Sequence, residues 1–153
     1  VSKQLKMIYP KIIIGVGILI GIILFKKTKP KFLAGILAGL IVNFILSFIE
    51  NELLKNISFI SFGILSLIFV IYSVIKRKWL NLIIGLFAFV SFFSKLNHYP
   101  YATVLKLLMI IPIACFILTL RKKEKYENEL SILIIFFAYE LSEFIQLTEQ
   151  WIN

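Results

Sequence analysis

Residues with reactive or metal-binding side chains are scarce in this sequence. It has one cysteine, Cys115, and one histidine, His98, among 153 residues, and Asp, Glu, Lys and Arg together make up 16%. A single cysteine excludes a disulfide within the chain. One histidine with no cysteine or second histidine beside it does not make a transition-metal site. The sequence therefore predicts no metal and no cofactor.

Catalytic patterns are lacking as well. The sequence contains no Ser-His-acid set, no glycine-rich phosphate loop and no nucleotide-binding motif. We therefore assign no catalytic residues, and the sequence does not favour an enzyme.

Apolar residues are what the sequence has in excess. They make up 60% of the chain, and the mean hydropathy is +0.96, whereas soluble domains have about 45–50% apolar residues. A water-soluble core of this size cannot bury so much apolar surface, so lipid must surround most of it. In a bilayer every backbone polar group must be paired within its segment, which favours helices. We predict an all-α, polytopic transmembrane helix bundle, with residues 1–153 forming one domain.

Apolar runs divide the chain into six predicted short spans. Most are close to the lower limit of the roughly 17–25 residues that a spanning helix needs. The first run follows a basic stretch without a small-residue cleavage site after it, so we interpret it as an uncleaved helix. Five spans is the alternative, which holds if the first run does not cross. The runs are about 8–25, 32–49, 57–75, 80–94, 102–120 and 130–148.

Basic residues indicate the orientation. The formal charge is +9, which in a soluble protein would suggest a nucleic-acid partner. Here the cations form short clusters between apolar runs, at 26–31, 76–78 and 121–125, without a nucleic-acid-binding pattern. Loops rich in Lys and Arg stay in the cytoplasm and contact anionic lipid headgroups. We expect these loops inside and both termini outside a bacterial inner membrane, with lipids and no nucleic acid as partners.

Two glycine pairs predict a close helix contact. Gly17 and Gly21 lie in the first run, and Gly35 and Gly39 lie in the second. Small residues four apart let helix backbones approach closely in lipid. We favour a hairpin in which the two pairs face each other. The alternative is a seam for a second chain, either another membrane protein or another copy of this one.

Polar groups inside the predicted spans are the main functional candidates, because ionisable side chains are costly in lipid. They are Asn43, Lys106, Glu140, Glu143 and Gln146. At about 1.5 Å per residue, Lys106 is roughly 6 Å and Glu143 roughly 7.5 Å from the outer helix ends. This similar depth predicts a Lys106–Glu143 ion pair. Glu140 lies one turn deeper on the same face, and Asn43 has a similar depth.

Two interpretations of this polar region remain open. In the first, the groups pair with one another and fix the packing of the bundle. In the second, they line a small cavity that opens outward, with Glu140 as a buried carboxyl that exchanges a proton. His98 and Lys95 lie at the expected outer mouth of this region, and His98 can carry a proton near neutral pH. The inner half of the spans is expected to be almost wholly apolar.

The segment FSKLNHYPYA resembles a helix-turn of Bacteroidota membrane proteins, F-K-I-x-H-W-P-G-A. A related K-x-x-H turn occurs in the transmembrane region of the GldL family, the stator of the gliding-motility and type IX secretion motor. Lys95, His98, Pro100 and Ala102 match the pattern, and Tyr99 replaces the tryptophan. The resemblance implies a proton-driven motor with a glutamate in the helix after the turn. In this chain the glutamates are one helix later.

A second likeness is to VanZ-like membrane proteins, which are associated with glycopeptide resistance and the cell envelope. Their late helix carries a glutamate and a glutamine three residues apart, as Glu143 and Gln146 are in LSEFIQL. An earlier helix opens with Lys-x-x-His, which Lys95 and His98 match. This resemblance implies a ligand at the outer face.

These features support three functional hypotheses. The first is a non-enzymatic accessory or structural subunit of a bacterial inner-membrane or envelope complex. The second is a small transporter or proton-coupled device that uses the outward polar cluster. The third is a VanZ-like envelope factor.

Overall fold

The computed structural model describes the backbone of residues 3–97 and 102–152 and the side chains of 9–97 and 104–148. All regular structure within these ranges is helical, which confirms the all-α prediction. The elements are α1 (Lys3–Leu24), a short 3-10 turn (Phe25–Lys27), α2 (Lys31–Ser47), α3 (Glu52–Ile75), α4 (Trp79–Leu96), α5 (Ala102–Leu108), α6 (Ile110–Arg121), α7 (Lys123–Tyr126) and α8 (Leu130–Ile152).

Within the described residues, five helical stretches are long and apolar enough to cross a membrane, as expected for a multi-pass membrane protein. They are 9–27, 52–75, 79–96, 104–121 and 130–148. The predicted second span is not one of these stretches, because α2 is apolar but only 17 residues long. The predicted fifth span is not one continuous helix, because a turn at Met109 divides it into α5 and α6.

The last helix, α8, occupies the centre of the bundle. In its spanning stretch 67% of the residues are buried within the protein, compared with 22–33% in the other four. Helices α1, α2, α4, α5 and α6 all pack against it, and α3 packs mainly on α2 and α4. The surrounding helices therefore present much of their apolar surface to lipid, as a membrane bundle requires.

Aromatic rings fill the space between α3 and α8. The Phe62 ring lies 4.7 Å from Tyr139 and 6.0 Å from Phe136, centroid to centroid. One end of this column continues through Phe69, which is 5.4 Å from Phe136, to Tyr72 at 6.3 Å. Tilted and edge-on rings at such separations add about 0.5–1.5 kcal/mol per pair beyond burial. The aromatic column thus runs along the bundle axis and links its two ends.

The bundle has two distinguishable ends. The connections after α1, α3 and α6 lie together and carry the basic clusters, and we call this the basic end. Here the Thr28 and Ser131 hydroxyls are hydrogen-bonded at 2.8 Å, which joins the α1–α2 connection to the start of α8. The opposite end contains the connections after α2 and α4.

The glycine hairpin prediction is wrong in its pairing. A Cβ at Gly17 would collide with the Cβ of Ala138 in α8, and a Cβ at Gly21 would crowd Ile135 of the same helix. Gly39 instead faces Leu65 of α3, and Gly35 has open space around it. The spacing of small residues identifies a helix face suited to close approach but does not specify which helix covers it.

This contact generates a test on α1. Gly17→Ala should lower the free energy of unfolding by about 1–3 kcal/mol, because the added methyl group overfills the α1–α8 contact. Gly15→Ala is the matched control, since nothing lies within 4 Å of a Cβ at Gly15. Denaturant unfolding in mild detergent measures both variants. Equal stabilities for the two would contradict the close α1–α8 contact.

Candidate functional site

A carboxylate with two lysines lies near the opposite end of α8. The Lys95 ammonium of α4 donates to Glu143 Oε1 at 2.5 Å, and the Lys106 ammonium of α5 lies 3.8 Å from Glu143 Oε2. The predicted Lys106–Glu143 pair is therefore present, but Lys95 is the closer partner. The Glu143 side chain is 5% exposed, whereas Lys95 and Lys106 are 38% and 20% exposed. The lysines thus connect a buried carboxylate with the protein surface.

Tyr139 extends this arrangement, which we call the Glu143 cluster (Lys95, Lys106, Tyr139 and Glu143). The Tyr139 hydroxyl lies 3.0 Å from the Ser91 hydroxyl of α4, and Lys95 donates to it at 3.4 Å. The same ammonium lies 5.2 Å from the centre of the Tyr139 ring. The cluster therefore joins α4, α5 and α8, and it holds two cations against one carboxylate.

Glu140 is placed differently from Glu143, although it is only one turn away. It is fully buried, and neither of its carboxyl oxygens has a hydrogen-bond partner among the described residues. A buried polar group without a partner is unfavourable by about 1–3 kcal/mol, and more if it is charged. Glu140 is therefore the side chain in this region that packing does not explain.

Three other predicted site residues are not brought into the Glu143 cluster by any described contact. Asn43 is buried but lines a groove between α2 and α3. Gln146 is partly buried, one turn beyond Glu143, and makes no hydrogen bond among the described residues. His98 lies outside the described residues, so its predicted position at the mouth stays a prediction. The prediction that Asn43 lies at a depth similar to Glu140 and belongs to the same polar cluster stays a prediction.

A second buried carboxylate, Glu129, was not found by sequence reasoning. The Lys78 ammonium donates to both of its oxygens, at 2.7 and 2.8 Å, and the Tyr72 hydroxyl donates at 2.9 Å. Glu129 is fully buried at the basic end, just before α8. Because Glu129 precedes the α8 span, the expectation that the inner half of the spans is almost wholly apolar stays a prediction. The sequence signal for Glu129 was weak, because a glutamate in a basic loop normally indicates an exposed residue.

The end of α3 positions Lys78 for this contact. The Lys78 backbone N–H donates to the Ser73 carbonyl at 2.9 Å, and the Arg77 N–H donates to the Val74 carbonyl at 3.0 Å. Arg77 has φ of 52°, a left-handed conformation that closes a helix in this way and usually favours glycine. The side chain of Tyr126 also lies here, and burial and the nearby Glu129 charge raise the pKa of its phenol. This second group, the Glu129 cluster (Tyr72, Lys78 and Glu129), is fully paired and is suited to a structural role.

The chain matches no known protein family, no curated protein and no solved structure. The candidate site must therefore be interpreted from its own geometry.

That geometry separates two kinds of buried acid along and just before α8. Glu143 and Glu129 each have a lysine at hydrogen-bonding distance, so their charges are balanced where they lie. Glu140 has no such balance among the described residues. In the surroundings of Glu140 the protonated form fits the apolar packing, while the ionised form requires a cation or water to reach it.

The two lysines of the Glu143 cluster offer a direct comparison. Lys95→Met should lower the free energy of unfolding by about 2 kcal/mol more than Lys106→Met, because only Lys95 makes a charged hydrogen bond to Glu143. Each variant removes one ammonium group that faces the Glu143 carboxylate, so each is the control for the other. Denaturant unfolding in mild detergent gives the difference. An equal loss, or a larger loss for Lys106→Met, would show that the 2.5 Å contact is not the dominant one.

Proposed function

We propose that the chain is a small proton-coupled membrane protein in which the Glu140 carboxyl binds and releases a proton. The observation that carries this proposal is the contrast within α8. Glu140 is 0% exposed and has no hydrogen-bond partner among the described residues, while Glu143 one turn away has two lysines. An arrangement that served stability alone would gain from an apolar residue at position 140.

The geometry offers a way to compensate the charge when the proton leaves. Lys106 lies 3.8 Å from Glu143 Oε2, and that oxygen makes no hydrogen bond among the described residues. Because Lys95 already balances Glu143, Lys106 can turn towards Glu140 without leaving Glu143 unpaired. In the proposed cycle, release of the proton draws the Lys106 ammonium towards Glu140, and rebinding of the proton returns it to Glu143. The proposed cycle thus gives the Lys106 side chain two arrangements, which a proton-coupled change requires.

Access in this proposal is from the opposite end. The Lys95 side chain is 38% exposed, compared with 20% for Lys106 and 5% for Glu143. Lys95 therefore connects the cluster with solvent or lipid headgroups at this end. By the distribution of basic residues, this end faces outward across a bacterial inner membrane. The resemblances to the GldL-type turn and to VanZ-like proteins stay predictions. The first would imply proton coupling, and the second would imply a ligand at the outer face.

A proton-flux experiment tests the proposal. The purified protein, reconstituted in vesicles that contain a pH-sensitive dye, should carry protons inward after acidification of the medium. Glu140→Gln should reduce this rate by about tenfold or more, because the amide cannot exchange a proton, as expected for loss of an essential proton-transfer group. Glu127→Gln is the matched control, since it makes the same change at an exposed glutamate before α8.

Stability and spectroscopy complete the design. Glu140→Gln should unfold at the same denaturant concentration as the original protein or a higher one, because the neutral amide has the same size. Infrared difference spectra between acidic and alkaline buffer should show a titrating carboxylic acid that Glu140→Gln removes. Undiminished flux in Glu140→Gln would end the proposal. So would a parent protein with neither flux nor a titrating acid band assigned to Glu140.

A second candidate is an accessory or structural subunit of a larger envelope complex. The observation in its favour is the low burial of the outer helices, 22–33% of each spanning stretch, which leaves broad apolar faces available to another membrane protein. Purification in mild detergent followed by mass spectrometry should then recover one partner in constant proportion. Recovery of the chain alone would count against this role and leave proton coupling as the better account.

A further inference from the structure

A pocket lies at the basic end of the bundle, where α6 ends and α7 begins. It is open to the surface and has a volume of about 630 Å³, which falls within the roughly 300–1,000 Å³ of typical ligand sites. Four cations and two carboxylates of one short segment line it, namely Arg121, Lys122, Lys123, Glu124, Lys125 and Glu127. Because the cations outnumber the carboxylates, the pocket is suited to an anion.

The cations of this pocket have no charged partner within the described parts of the chain. All four are exposed, and none forms an ion pair in residues 9–97 and 104–148, although two carboxylates line the same pocket. Lys78 at the same end differs, because it is bound to Glu129. Like charges held in one short segment repel one another, and a bound anion removes this repulsion.

The backbone that carries these cations is held in place by the rest of the bundle. The Lys78 ammonium donates to the Lys125 carbonyl at 3.1 Å, and the Lys125 N–H donates to the Lys122 carbonyl at 3.0 Å. The neighbouring Tyr126 is buried, and the ammonium groups of Lys78 and Lys125 lie 5.7 and 5.8 Å from the centre of its ring. The segment is therefore ordered before a ligand arrives, which lowers the entropic cost of binding.

The position of the pocket favours a lipid headgroup over a soluble anion. The spanning stretch that contains α6 ends at Arg121, so the pocket lies at the level of the headgroups of a bilayer. Ile117 and Leu118 lie one turn before Arg121 on the same helix face, and they are 51% and 43% exposed. An acyl chain can lie along these two side chains while its phosphate meets Arg121. A soluble anion would make no contact with this apolar face.

We propose that this pocket binds the phosphate headgroup of an anionic phospholipid from the leaflet at the basic end. The Arg121 guanidinium donates paired N–H groups to the phosphate oxygens, and the three lysines supply further positive charge. Basic pockets beside membrane-spanning helices recognise anionic headgroups in this way. The site goes beyond the proposed function, because it lies at the other end of the bundle from the Glu143 cluster and does not require proton exchange at Glu140.

Lipid affinity of the purified protein tests this site. Native mass spectrometry from mild detergent measures the dissociation constants of phosphatidylglycerol and of phosphatidylcholine with the same acyl chains. Phosphatidylglycerol should bind at least about tenfold more tightly, because it carries a net negative charge. Lys122→Gln combined with Lys123→Gln should weaken phosphatidylglycerol binding by about tenfold or more and leave phosphatidylcholine binding unchanged.

Two further variants control for general charge and for folding. Lys26→Gln combined with Lys27→Gln removes the same charge from two exposed lysines at the same end but outside the pocket. This matched control should change phosphatidylglycerol affinity by less than about twofold, because solvent and salt screen the more distant charges. Glu124→Gln tests the opposite sign. Removing this negative charge from the lining should tighten phosphatidylglycerol binding by about threefold, a gain that misfolding cannot produce.

Three outcomes would overturn the proposal. Equal dissociation constants for the two lipids would show that the pocket does not recognise an anionic headgroup. An equal loss in the two double-lysine variants would assign the preference to the general charge of the basic end. Displacement of phosphatidylglycerol by glycerol 3-phosphate at an equal concentration would assign the pocket to a soluble phosphate compound, since this competitor has the phosphate without the acyl chains.

Discussion

The structure depends on the burial of a glutamate-bearing helix in the centre of an apolar bundle. Helix α8 is enclosed by its neighbours, and it carries or adjoins three fully or almost fully buried glutamates, Glu129, Glu140 and Glu143. Lipid cannot solvate a carboxylate, so the surrounding helices must provide the cations and hydrogen-bond donors. The position of α4 follows from this constraint in part, since Lys78 just before its start and Lys95 near its end reach two of the three acids.

The two charged clusters act at opposite ends of one aromatic column. Tyr139 belongs to the Glu143 cluster and Tyr72 to the Glu129 cluster, and the rings between them fill the space that separates α3 from α8. On the other side of α8, Gly17 lets α1 approach without an intervening side chain. The central helix is thus held by large rings on one face and by close backbone packing on another, with an ion pair near each end.

Against this well-paired background, the buried polar groups without partners stand out. Neither Glu140 in the centre nor the buried Asn81 amide of α4 has a hydrogen-bond partner among the described residues. Nothing in the structure explains Asn81. For Glu140, the proposed function supplies a proton as the partner that matches the chemistry of a carboxyl.

The sequence by itself determined the helical membrane class, because hydropathy and the need to pair backbone groups act within each segment. It also determined the depth of Lys106 and Glu143, since helical rise sets depth and their predicted pairing is present at 3.8 Å. Only the tertiary structure decided that Lys95 is the closer lysine, that Gly17 faces α8 and that Glu129 is buried by Lys78. The physical reason is that the rotation of each helix and its choice of neighbours arise from packing across the whole bundle, whereas periodicity and hydropathy describe one helix at a time.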